Sequence, residues 1–484
     1  MKKQQGAILP LVLVFGAVFV ILLVSLLSFV VVQSRSARQE VSKVRALNIA
    51  EAGLNYYRWH LAHDEDDVQD GQGWCCTSPP CSVCGPYEHQ YEDPESGLVG
   101  YFSLEIEAKE QCGQITAVTI TSTGWTEDFP DLTRKARVKY IRPAVSDYAY
   151  LINDNVWAGS DRNISGPYRS NGGVRMDGTN NALVTSAQED WACTDSLGCS
   201  SCPDDCNWEG GNCMCPGVFT TANGKNNLFS YPVSNFDFDG ITMDLANIKN
   251  LTDTQGQGIY LGPSAGQGYH LIFNGDSVDV YRIDNLDNVD AYNSEIGFWH
   301  EEDSLIASET FLASYNIPSS CSLIFVEDDL WVEGTVGSKI TTVSADLIDP
   351  NQETDVWING DITYTSYDGS CGFVLLGQHN VLIGLEVPDD MRLDGVYIAQ
   401  SGRFGRNSYS FFDSPWHKRN SLEMFGSVVS NGRVGTKWFS GPFWTSGFDN
   451  RINTYDPSQA YNPPPFLPFT SEEHAFKDWE ELEE

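Results

Sequence analysis

The chain has 484 residues, of which 29 are Lys or Arg and 66 are Asp or Glu, so its formal net charge is -37. A protein this acidic repels a phosphate backbone, and we therefore expect no nucleic-acid partner. The length allows more than one domain.

Residues 7–32 form an uncharged apolar segment, AILPLVLVFGAVFVILLVSLLSFVVV, behind the short basic leader MKKQQG. The segment exceeds the roughly 20 residues that a helix needs to cross a bilayer. A secretory signal peptide has a shorter apolar core and ends in small residues, whereas the small pair Gly6-Ala7 comes before this segment. We predict a transmembrane helix over 7–32 that stays on the mature protein.

An amphipathic helix is predicted over 33–61, directly after the apolar segment. Its apolar residues recur at intervals of three and four, which places them on one helical face: Leu47, Ala50, Leu54, Tyr57 and Leu61. A helix unbroken from Ala7 to Leu61 would be roughly 80 Å long at 1.5 Å per residue. Such a stem spans a membrane and projects beyond it.

This order of parts resembles the N-terminus of type IV pilins and pseudopilins, and Ala50-Glu51-Ala52-Gly53 is similar to the AEAG element of PilX-type minor pilins. The resemblance covers about residues 1–61. It implies that prepilin peptidase removes a leader of residues 1–6 by cutting after Gly6 and that Ala7 becomes N-methylated. It also implies other pilin subunits as partners through this helix, an inner-membrane assembly platform, and a single-pass stage in the cytoplasmic membrane before export to an extracellular filament or the cell surface.

Leu11 departs from the pattern of major pilins, which carry Glu at the fifth position of the mature chain. In the family that carboxylate is thought to meet the terminal amine of the preceding subunit. Its absence fits a subunit with nothing ahead of it, as in the PilX-type and K-type minor subunits that initiate or cap filaments. The alternative is an uncleaved signal anchor on a cell-surface protein that binds or cleaves polysaccharide.

Thirteen cysteines indicate an oxidising compartment, because most of them lie in Gly-, Pro-, Ser- and Asp-rich segments that need covalent cross-links to hold a shape. The candidate disulfide cysteines are Cys75, Cys76, Cys81, Cys84, Cys112, Cys193, Cys199, Cys202, Cys206, Cys213, Cys215, Cys321 and Cys371. Zinc is the alternative, since Cys81 with Cys84 and Cys199 with Cys202 have ligand-like spacing. The odd number leaves at least one thiol free or intermolecular.

No cofactor is expected, with calcium as the one open alternative. Asp237 and Asp239 are candidate ligands because Ca²⁺ prefers oxygen donors, but the segment does not complete an EF-hand loop. Solvated turn residues are the simpler interpretation.

Residues 62–146 are predicted to form a small pilin-like β domain with a Cys-rich loop. Alternating apolar and polar residues with many β-branched side chains follow one another from about 98 to 141, as expected of antiparallel strands packed on the stem. The fold class is thus a long N-terminal hydrophobic α-helix followed by mainly β structure, with a small α+β domain first.

Residues 147–465 are predicted to form a large β-rich head with a Cys-rich insertion at 190–216. A short signature of two alternating apolar residues followed by Gly recurs, beginning at Val174, Leu271, Leu330, Val356, Met391 and Leu422. One such strand every 20 to 40 residues is typical of an irregular parallel β-helix, or solenoid. A sandwich with Gly turns is the alternative. The acidic tail, 466–484, is expected to form one short helix.

Motifs that carry chemistry are scarce, and no enzymatic activity is predicted. Gly262-Pro263-Ser264-Ala265-Gly266 matches a nucleophile elbow, but the sequence after it predicts a strand where an elbow needs a helix. A polysaccharide-lyase patch is a conceivable use of Arg392, Asp394, Arg403 and Arg406, although such residues at solenoid corners usually face water.

The candidate binding residues are the aromatic side chains Trp416, Trp438, Phe443 and Trp444, which lie among small turn residues. Aromatic loops stack on sugar rings or fill a partner's pocket, which predicts an unknown surface or glycan ligand. The alternative is that they cap the open end of the solenoid core. Together these features predict a non-enzymatic minor pilin at a filament tip with a large head for adhesion.

Overall fold

A computed structural model describes residues 8–64, 67–75, 83–95, 97–223, 228–238, 245–349, 352–441, 443–471 and 475–482. The chain divides into two compact units. The first consists of residues 1–109, 117–141 and 474–484, and the second of residues 110–116 and 142–473.

The first unit begins with helix α1, Ile8–Leu61, which is continuous over 54 residues. This confirms the long apolar helix predicted from the sequence. Pro10 lies in its first turn, where its missing N–H costs no helical hydrogen bond. It is long and apolar enough to cross a membrane, and the most apolar window of this helix is not buried anywhere by the rest of the protein.

An antiparallel five-stranded sheet completes the first unit in the order β1-β2-β3-β4-β33. Its strands are β1 (Cys84–Asp93), β2 (Gly97–Gln111), β3 (Gln114–Thr126), β4 (Phe129–Ile141) and the last strand of the chain, β33 (Ala475–Leu482). The short helix expected in the acidic tail is therefore wrong. The tail pairs with β4 instead, where Arg137 Nε donates to Glu480 Oε1 at 2.7 Å and the Phe476 ring contacts the Tyr140 ring at a tilt.

In its described residues, the second unit contains the remaining strands and two short α-helices. Its elements are β5 (Tyr150–Ile152), β6 (Val156–Ala158), β7 (Arg162–Ser165), β8 (Tyr168–Ser170), β9 (Val174–Met176), β10 (Thr179–Asn180), β11 (Val184–Ser186), β12 (Asp190–Cys193), β13 (Asn207–Glu209), β14 (Asn212–Pro216), β15 (Val218–Phe219), β16 (Phe229–Ser230), α2 (Leu245–Lys249), β17 (Ile259–Leu261), β18 (Tyr269–Gly275), β19 (Ser277–Asn293), β20 (Phe298–Asn316), β21 (Leu323–Val326), β22 (Leu330–Val336), β23 (Lys339–Ser344), β24 (Val356–Tyr364), β25 (Gly372–Gly377), β26 (Val381–Ile383), β27 (Asp390–Ala399), β28 (Phe404–Gly405), β29 (Ser408–Tyr409), β30 (Lys418–Ser430), β31 (Lys437–Ser440), β32 (Phe443–Thr454) and α3 (Pro457–Tyr461).

Parallel ladders organise this unit. One ladder stacks β17, β21, β23, β25, β27, β30, β5, β8, β11 and β16 in that order, each strand parallel to the next. A second stacks β18, β22, β24, β27, β30, β32, β7 and β10 in the same way. Shorter parallel stacks join β24 to β26 and β28, and β6 to β9 and β15. The antiparallel sandwich considered from the sequence does not fit these pairings.

Strands that follow one another in a ladder belong to successive coils of the stack. The order of these coils in the stack differs from their order in the sequence. The last coils of the unit, β30 and β32, are followed in the ladders by its first coils, β5 and β7. The chain therefore enters near the middle of the stack, and the ladders run from there toward β16 and β10 in one direction and toward β17 and β18 in the other. Inward-facing side chains such as Leu330, Val332, Val356 and Ile358 fill a single core along this stack.

Three glycines of the recurring signature lie where the backbones of stacked strands approach closely. Gly334, Gly395 and Gly426 all have positive φ, at 118°, 137° and 142°. A Cβ on Gly426 would lie 2.0 Å from the Gly395 carbonyl oxygen, and one on Gly334 would lie 2.3 Å from the carbonyl oxygen of Phe273. Only glycine satisfies both the dihedral angle and the close approach at these bends.

At one corner of the stack, a side-chain oxygen of Asp or Asn in each coil accepts a hydrogen bond from a backbone N–H of the next coil. Asp329 Oδ1 accepts from the Asp355 N–H at 2.8 Å, Asp355 Oδ1 accepts from the Asn380 N–H at 2.9 Å, and Asn380 Oδ1 accepts from the Arg403 N–H at 2.8 Å. Each oxygen replaces the backbone partner that the turning chain withdraws from the ladder.

Two insertions extend from the coils. One is the long antiparallel hairpin β19–β20, and the other is the Cys-rich sheet, ordered β12-β14-β13. Three disulfides cross-link the Cys-rich segment, Cys193–Cys199, Cys202–Cys213 and Cys206–Cys215, around the buried Trp191 and Leu197.

The alanine variant of Gly426 is expected to destabilise the protein by about 2–4 kcal/mol, because the new Cβ meets a backbone oxygen and the positive φ is unfavourable for alanine. Urea unfolding of the detergent-solubilised full chain, followed by tryptophan fluorescence, measures this loss. Gly435→Ala is the matched control, since the nearest heavy atom to its Cβ is Trp438 Cζ2 at 3.9 Å and its φ is not in the left-handed region. Equal effects of the two variants would contradict the role of the close approach.

The pH dependence of stability should include a contribution from Asp329, whose pKa burial raises to about 7 while the N–H of Asp355 opposes that rise. The folded state then holds a proton that the unfolded chain releases near pH 4, so this residue costs stability as pH rises from about 4 to 7. Asp329→Asn keeps the acceptor and removes the charge.

Relative to the natural chain, Asp329→Asn should be more stable by about 2–4 kcal/mol at pH 8 and about equal in stability near pH 4. Unfolding titrations at both pH values measure the difference. Asp303→Asn, at an exposed position of β20, should show no such divergence. A variant of Asp329 that loses stability at pH 8 would refute the assignment.

Candidate functional site

The helix–sheet contact of the first unit places the AEAG element. The buried face of α1 consists of Ser42, Ala46, Ile49, Ala50, Gly53, Leu54, Tyr57 and Leu61. Ala50 and Gly53 face the sheet, whereas Glu51 and Ala52 lie on the partly exposed flank. The Tyr140 hydroxyl donates to the Leu54 carbonyl at 2.7 Å and ties β4 to the helix backbone.

Small residues bring the two backbones together. A Cβ on Gly53 would lie 2.4 Å from Ser122 Oγ and 2.7 Å from a ring carbon of Phe102. On the sheet side, a Cβ on Gly124 would lie 2.3 Å from the Ala46 carbonyl oxygen and 2.5 Å from the Ala50 nitrogen. The AEAG element therefore fits this helix to its own sheet by close contact.

The N-terminal part of α1 has no such cover. From Leu9 to Val32 its apolar side chains are exposed, for example Leu11 at 58 % and Phe15 at 67 %. Exposing an apolar surface this large to water is unfavourable, so lipid or other helices must cover it. Gly6 and Ala7, the predicted cleavage and methylation positions, lie outside the described residues.

Exposed aromatic side chains form a second surface, on the second unit, which we call the aromatic ridge. It consists of Phe298, Trp299, Phe411, Phe412, Phe439 and Phe443. Each is at least half exposed, and Phe412 reaches 82 % and Phe443 73 %. Monomeric proteins seldom expose so many large apolar side chains, which makes the ridge a candidate interaction surface.

Three neighbouring segments carry the ridge: the tip of the β19–β20 hairpin, the loop after β29, and the β31–β32 hairpin. Ala291 and Tyr292 near the hairpin tip pair with β29, and the Tyr292 ring contacts Trp299 and Trp438 at centroid distances of 6.1 and 5.7 Å. In the β31–β32 hairpin, Phe439 pairs with Trp444.

Of the four aromatic residues predicted from the sequence, one belongs to the exposed ridge and the other three pack against neighbouring polar or charged groups. Trp438 Nε1 donates to the Arg406 carbonyl at 2.9 Å, and Trp444 lies under the ammonium groups of Lys418 and Lys437, at 4.7 and 5.3 Å from its ring centre. Phe443 belongs to the exposed ridge. Trp416, which is 36 % exposed, lies against the guanidinium of Arg419.

The alternative that these aromatic residues cap an open end of the core is wrong. Phe443 and Trp444 lie in β32, Trp438 lies in the paired strand β31, and Trp416 precedes β30. β32 stacks between β30 and β7 in the middle of the ladder. The sequence analysis missed Phe411 and Phe412, which follow β29, and Phe298 and Trp299. An adjacent Phe pair before Asp413 in a loop was the only local signal for the first two.

A buried charged network fixes the ridge from below. Arg406 is fully buried and donates to the carbonyl oxygens of Gly384, Leu385 and Trp416 at 2.7, 3.1 and 2.8 Å. Burial lowers the pKa of Arg406 to about 10, so the guanidinium stays charged at neutral pH. The Trp416 loop is held by this buried cation.

The polar residues considered as a polysaccharide-lyase patch do not form one. Arg403 and Arg406 are fully buried and do not face water as expected. Asp394 is buried as well and accepts from Arg392 Nε at 2.9 Å and from the Tyr367 hydroxyl at 2.6 Å. Arg392 also reaches a surface carboxylate, Glu423 at 3.0 Å, and the buried Arg403 lies 3.8 Å from the exposed Glu295.

Ser264, the centre of the nucleophile-elbow pattern, has the geometry of a turn. Its Oγ accepts from the N–H groups of Gly266 and Gly268 at 3.0 and 3.2 Å, and β18 follows. Hydroxyls that bind nearby backbone N–H groups stabilise such turns.

Ten of the candidate cysteines are paired in the described part of the chain. Besides the three disulfides of the Cys-rich sheet, Cys75 bonds Cys84 and Cys112 bonds Cys321. Cys371 is instead a free, buried thiol, so its place among the disulfide candidates is corrected. Cys76 and Cys81 lie outside the described residues. The grouped sulfurs of Cys193, Cys199, Cys206, Cys213 and Cys215 belong to disulfides rather than to zinc-binding thiolates.

Of the two calcium candidates, the structure describes only Asp237. Asp237 lies on the rim of an open groove in the second unit, and Asp239 is outside the described residues. A calcium site there stays a prediction.

Comparisons with known proteins find solved structures that match the chain. No protein-family model matches the chain, and no curated protein matches it. A matching solved structure is the competence-associated pilin ComZ from Thermus thermophilus, with 12 % sequence identity over 91 % of this chain and 98 % of that one, and a TM-score of 0.27. A TM-score this low does not establish a common fold.

Proposed function

We propose that this chain is a non-enzymatic minor pilin of a type IV pilus-like filament, of the PilX or pseudopilin kind. The observation that carries the proposal is the division of α1 into two halves. One face of its C-terminal part, from Ser42 to Leu61, is buried against its own sheet, while the apolar side chains of its N-terminal half are exposed. A helix with these two environments suits lipid before assembly and a bundle of sister helices afterwards.

The N-terminal residues suggest how the chain would be processed and exported. Prepilin peptidase would cut after Gly6, Ala7 would be methylated, and the single-pass protein would leave the cytoplasmic membrane through the inner-membrane assembly platform. Leu11 in place of the usual acid, together with a head too large to repeat along a thin fibre, supports a position at the filament tip.

The second unit would be the head, an irregular β-solenoid built from the parallel ladders. The aromatic ridge would be its adhesive surface, since exposed Phe and Trp side chains gain free energy when a partner removes them from water. The filament would carry this surface outside the cell.

Mass spectrometry of the protein from its native host is expected to find a chain that begins at Ala7 and carries one methyl group on its terminal nitrogen. Gly6→Arg should block cleavage and keep the chain in the membrane fraction, while Gln5→Ala, one position earlier, should mature normally. An intact Met1 on the surface-exposed protein would refute the pilin proposal and favour a signal-anchored protein.

Removing two ridge side chains tests adhesion. Filament-bearing cells with Phe412→Ser and Phe443→Ser should attach to an apolar surface such as polystyrene several-fold less than cells with the natural chain, because the two most exposed side chains of the ridge are lost. Filament number, counted by electron microscopy, should not change.

Ile348→Ser is the matched control for this loss, since Ile348 is a 60 % exposed apolar residue away from the ridge. It should leave attachment unchanged. Full attachment by the double Phe variant would remove the ridge from the proposal while leaving the filament role intact.

A further inference from the structure

An open groove of about 850 Å³ lies on the second unit, beside the Cys-rich sheet. The residues of its wall that matter here are Asn153, Asp154, Asn171, Gln188, Asp190 and Trp191. Asn153, Asn171 and Gln188 follow directly, or nearly so, after β5, β8 and β11, which are consecutive rungs of one parallel ladder. The groove thus runs along the stacking direction of the coils.

Side-chain amides form a continuous hydrogen-bonded series along this wall. Asn153 Nδ2 donates to Asn431 Oδ1, Asn171 Nδ2 donates to Asn153 Oδ1, and Gln188 Nε2 donates to the Asn171 carbonyl, each at 2.7 Å. Asn431 Nδ2 continues the series to the Ser401 carbonyl at 3.0 Å. Every donor points the same way along the stack, so each of the three rungs places one side-chain amide on this wall.

The wall is held in place without a ligand. Asn171 is fixed a second time by the backbone of Phe236, which donates to its Oδ1 at 2.7 Å and accepts from its Nδ2 at 2.7 Å. Trp191 lies flat against Gly173, where a Cβ would come within 1.9 Å of its ring, and its Nε1 donates to the Pro216 carbonyl at 2.9 Å. Binding to such a surface loses little conformational entropy.

The charge of the groove selects the class of ligand. None of the described residues that line it is Lys or Arg, whereas Asp154, Asp190 and Asp237 do line it. An anionic ligand is therefore repelled. Asn153 and Gln188 each use one side-chain N–H in the series and keep a second one for the hydroxyl groups of a ligand, whereas both side-chain N–H groups of Asn171 are already used. The partly buried rings of Phe236 and Phe238 also line the groove.

The spacing of the wall suits a repeating ligand. Adjacent parallel strands lie about 4.8 Å apart, so the amides of successive coils repeat at about that distance. This is close to the length of one pyranose unit in an extended polysaccharide. In a linear polysaccharide lying in the groove, each sugar unit would therefore lie beside one side-chain amide of the wall.

We propose that this groove binds an uncharged, extended polysaccharide, with the amide series hydrogen-bonded to its hydroxyl groups. The inference rests on the proposed function only in that a filament-borne head would give such binding its adhesive use. The binding itself follows from the groove and concerns residues other than the aromatic ridge.

Isothermal titration of the detergent-solubilised full chain tests the proposal. The probes are β-1,4-linked oligosaccharides of glucose and of N-acetylglucosamine, from the disaccharide to the hexasaccharide, with hexagalacturonate as the anionic comparison. Affinity for at least one neutral series should increase with chain length and should persist at high salt, because no ion pair is involved. Absence of binding to both neutral series, or binding of hexagalacturonate alone, would overturn the proposal.

Ala192→Trp tests the location, because Ala192 is an exposed strand residue that lines the groove and the new indole would fill it. It should weaken neutral-oligosaccharide binding at least about tenfold. Ala307→Trp, at an exposed position of β20, is the matched control and should bind like the natural chain. Equal binding by both variants would refute this site.

Asn235→Leu, at another exposed position of the groove, keeps the test valid if Ala192→Trp does not fold, and it should also weaken binding. The two proposals fail separately. A methylated filament subunit that binds no neutral glycan would refute only this inference, whereas a glycan-binding protein that retains Met1 would refute only the pilin proposal.

Discussion

Parallel register between successive coils is the constraint on which the second unit depends. Each coil hydrogen-bonds to the next over two ladders, so an inward residue of one coil must stack on an inward residue of its neighbour. The bends then require glycine where backbones nearly touch, as at Gly395 and Gly426, and a side-chain oxygen where the ladder is interrupted, as at Asp355 and Asn380. The amide series of the groove follows the same register on an outer corner.

Much of this architecture could be predicted because it repeats locally. The apolar-Gly signature marks strands that do stack in step, Leu330 on Val356 and Met391 on Leu422, and the 3.6-residue period marks the buried face of α1. The parts that were missed or wrong depend on contacts distant in sequence. Nothing in the segment around Tyr150 shows that it stacks on β30, and nothing in the tail shows that it becomes the strand beside β4.

The candidate site was predicted in part, for the same reason. Trp438, Phe443 and Trp444 lie close together in one hairpin, so composition alone revealed them. Which of them would be exposed depends on distant partners, because a carbonyl of a neighbouring coil fixes Trp438 and two lysines cover Trp444. The exposed Phe411 and Phe412 look unremarkable in sequence, and the anchor of their loop is distant in kind from any local pattern: the buried Arg406 donates to the Trp416 carbonyl.

The large negative charge of the chain is distributed in a way that explains both surfaces. Cations are few, and several of them are buried: Arg403 and Arg406 are inaccessible, and Arg451 is held by Asp161 at 2.7 Å. Acids such as Glu302, Glu327 and Asp394 are buried as well, so the outer surface keeps the strong negative charge of the composition, which opposes association between copies of the chain through charge repulsion. Recognition on such a surface must then use uncharged chemistry. Exposed aromatic rings and neutral amides are the two kinds of group that supply it, and they are what the ridge and the groove present.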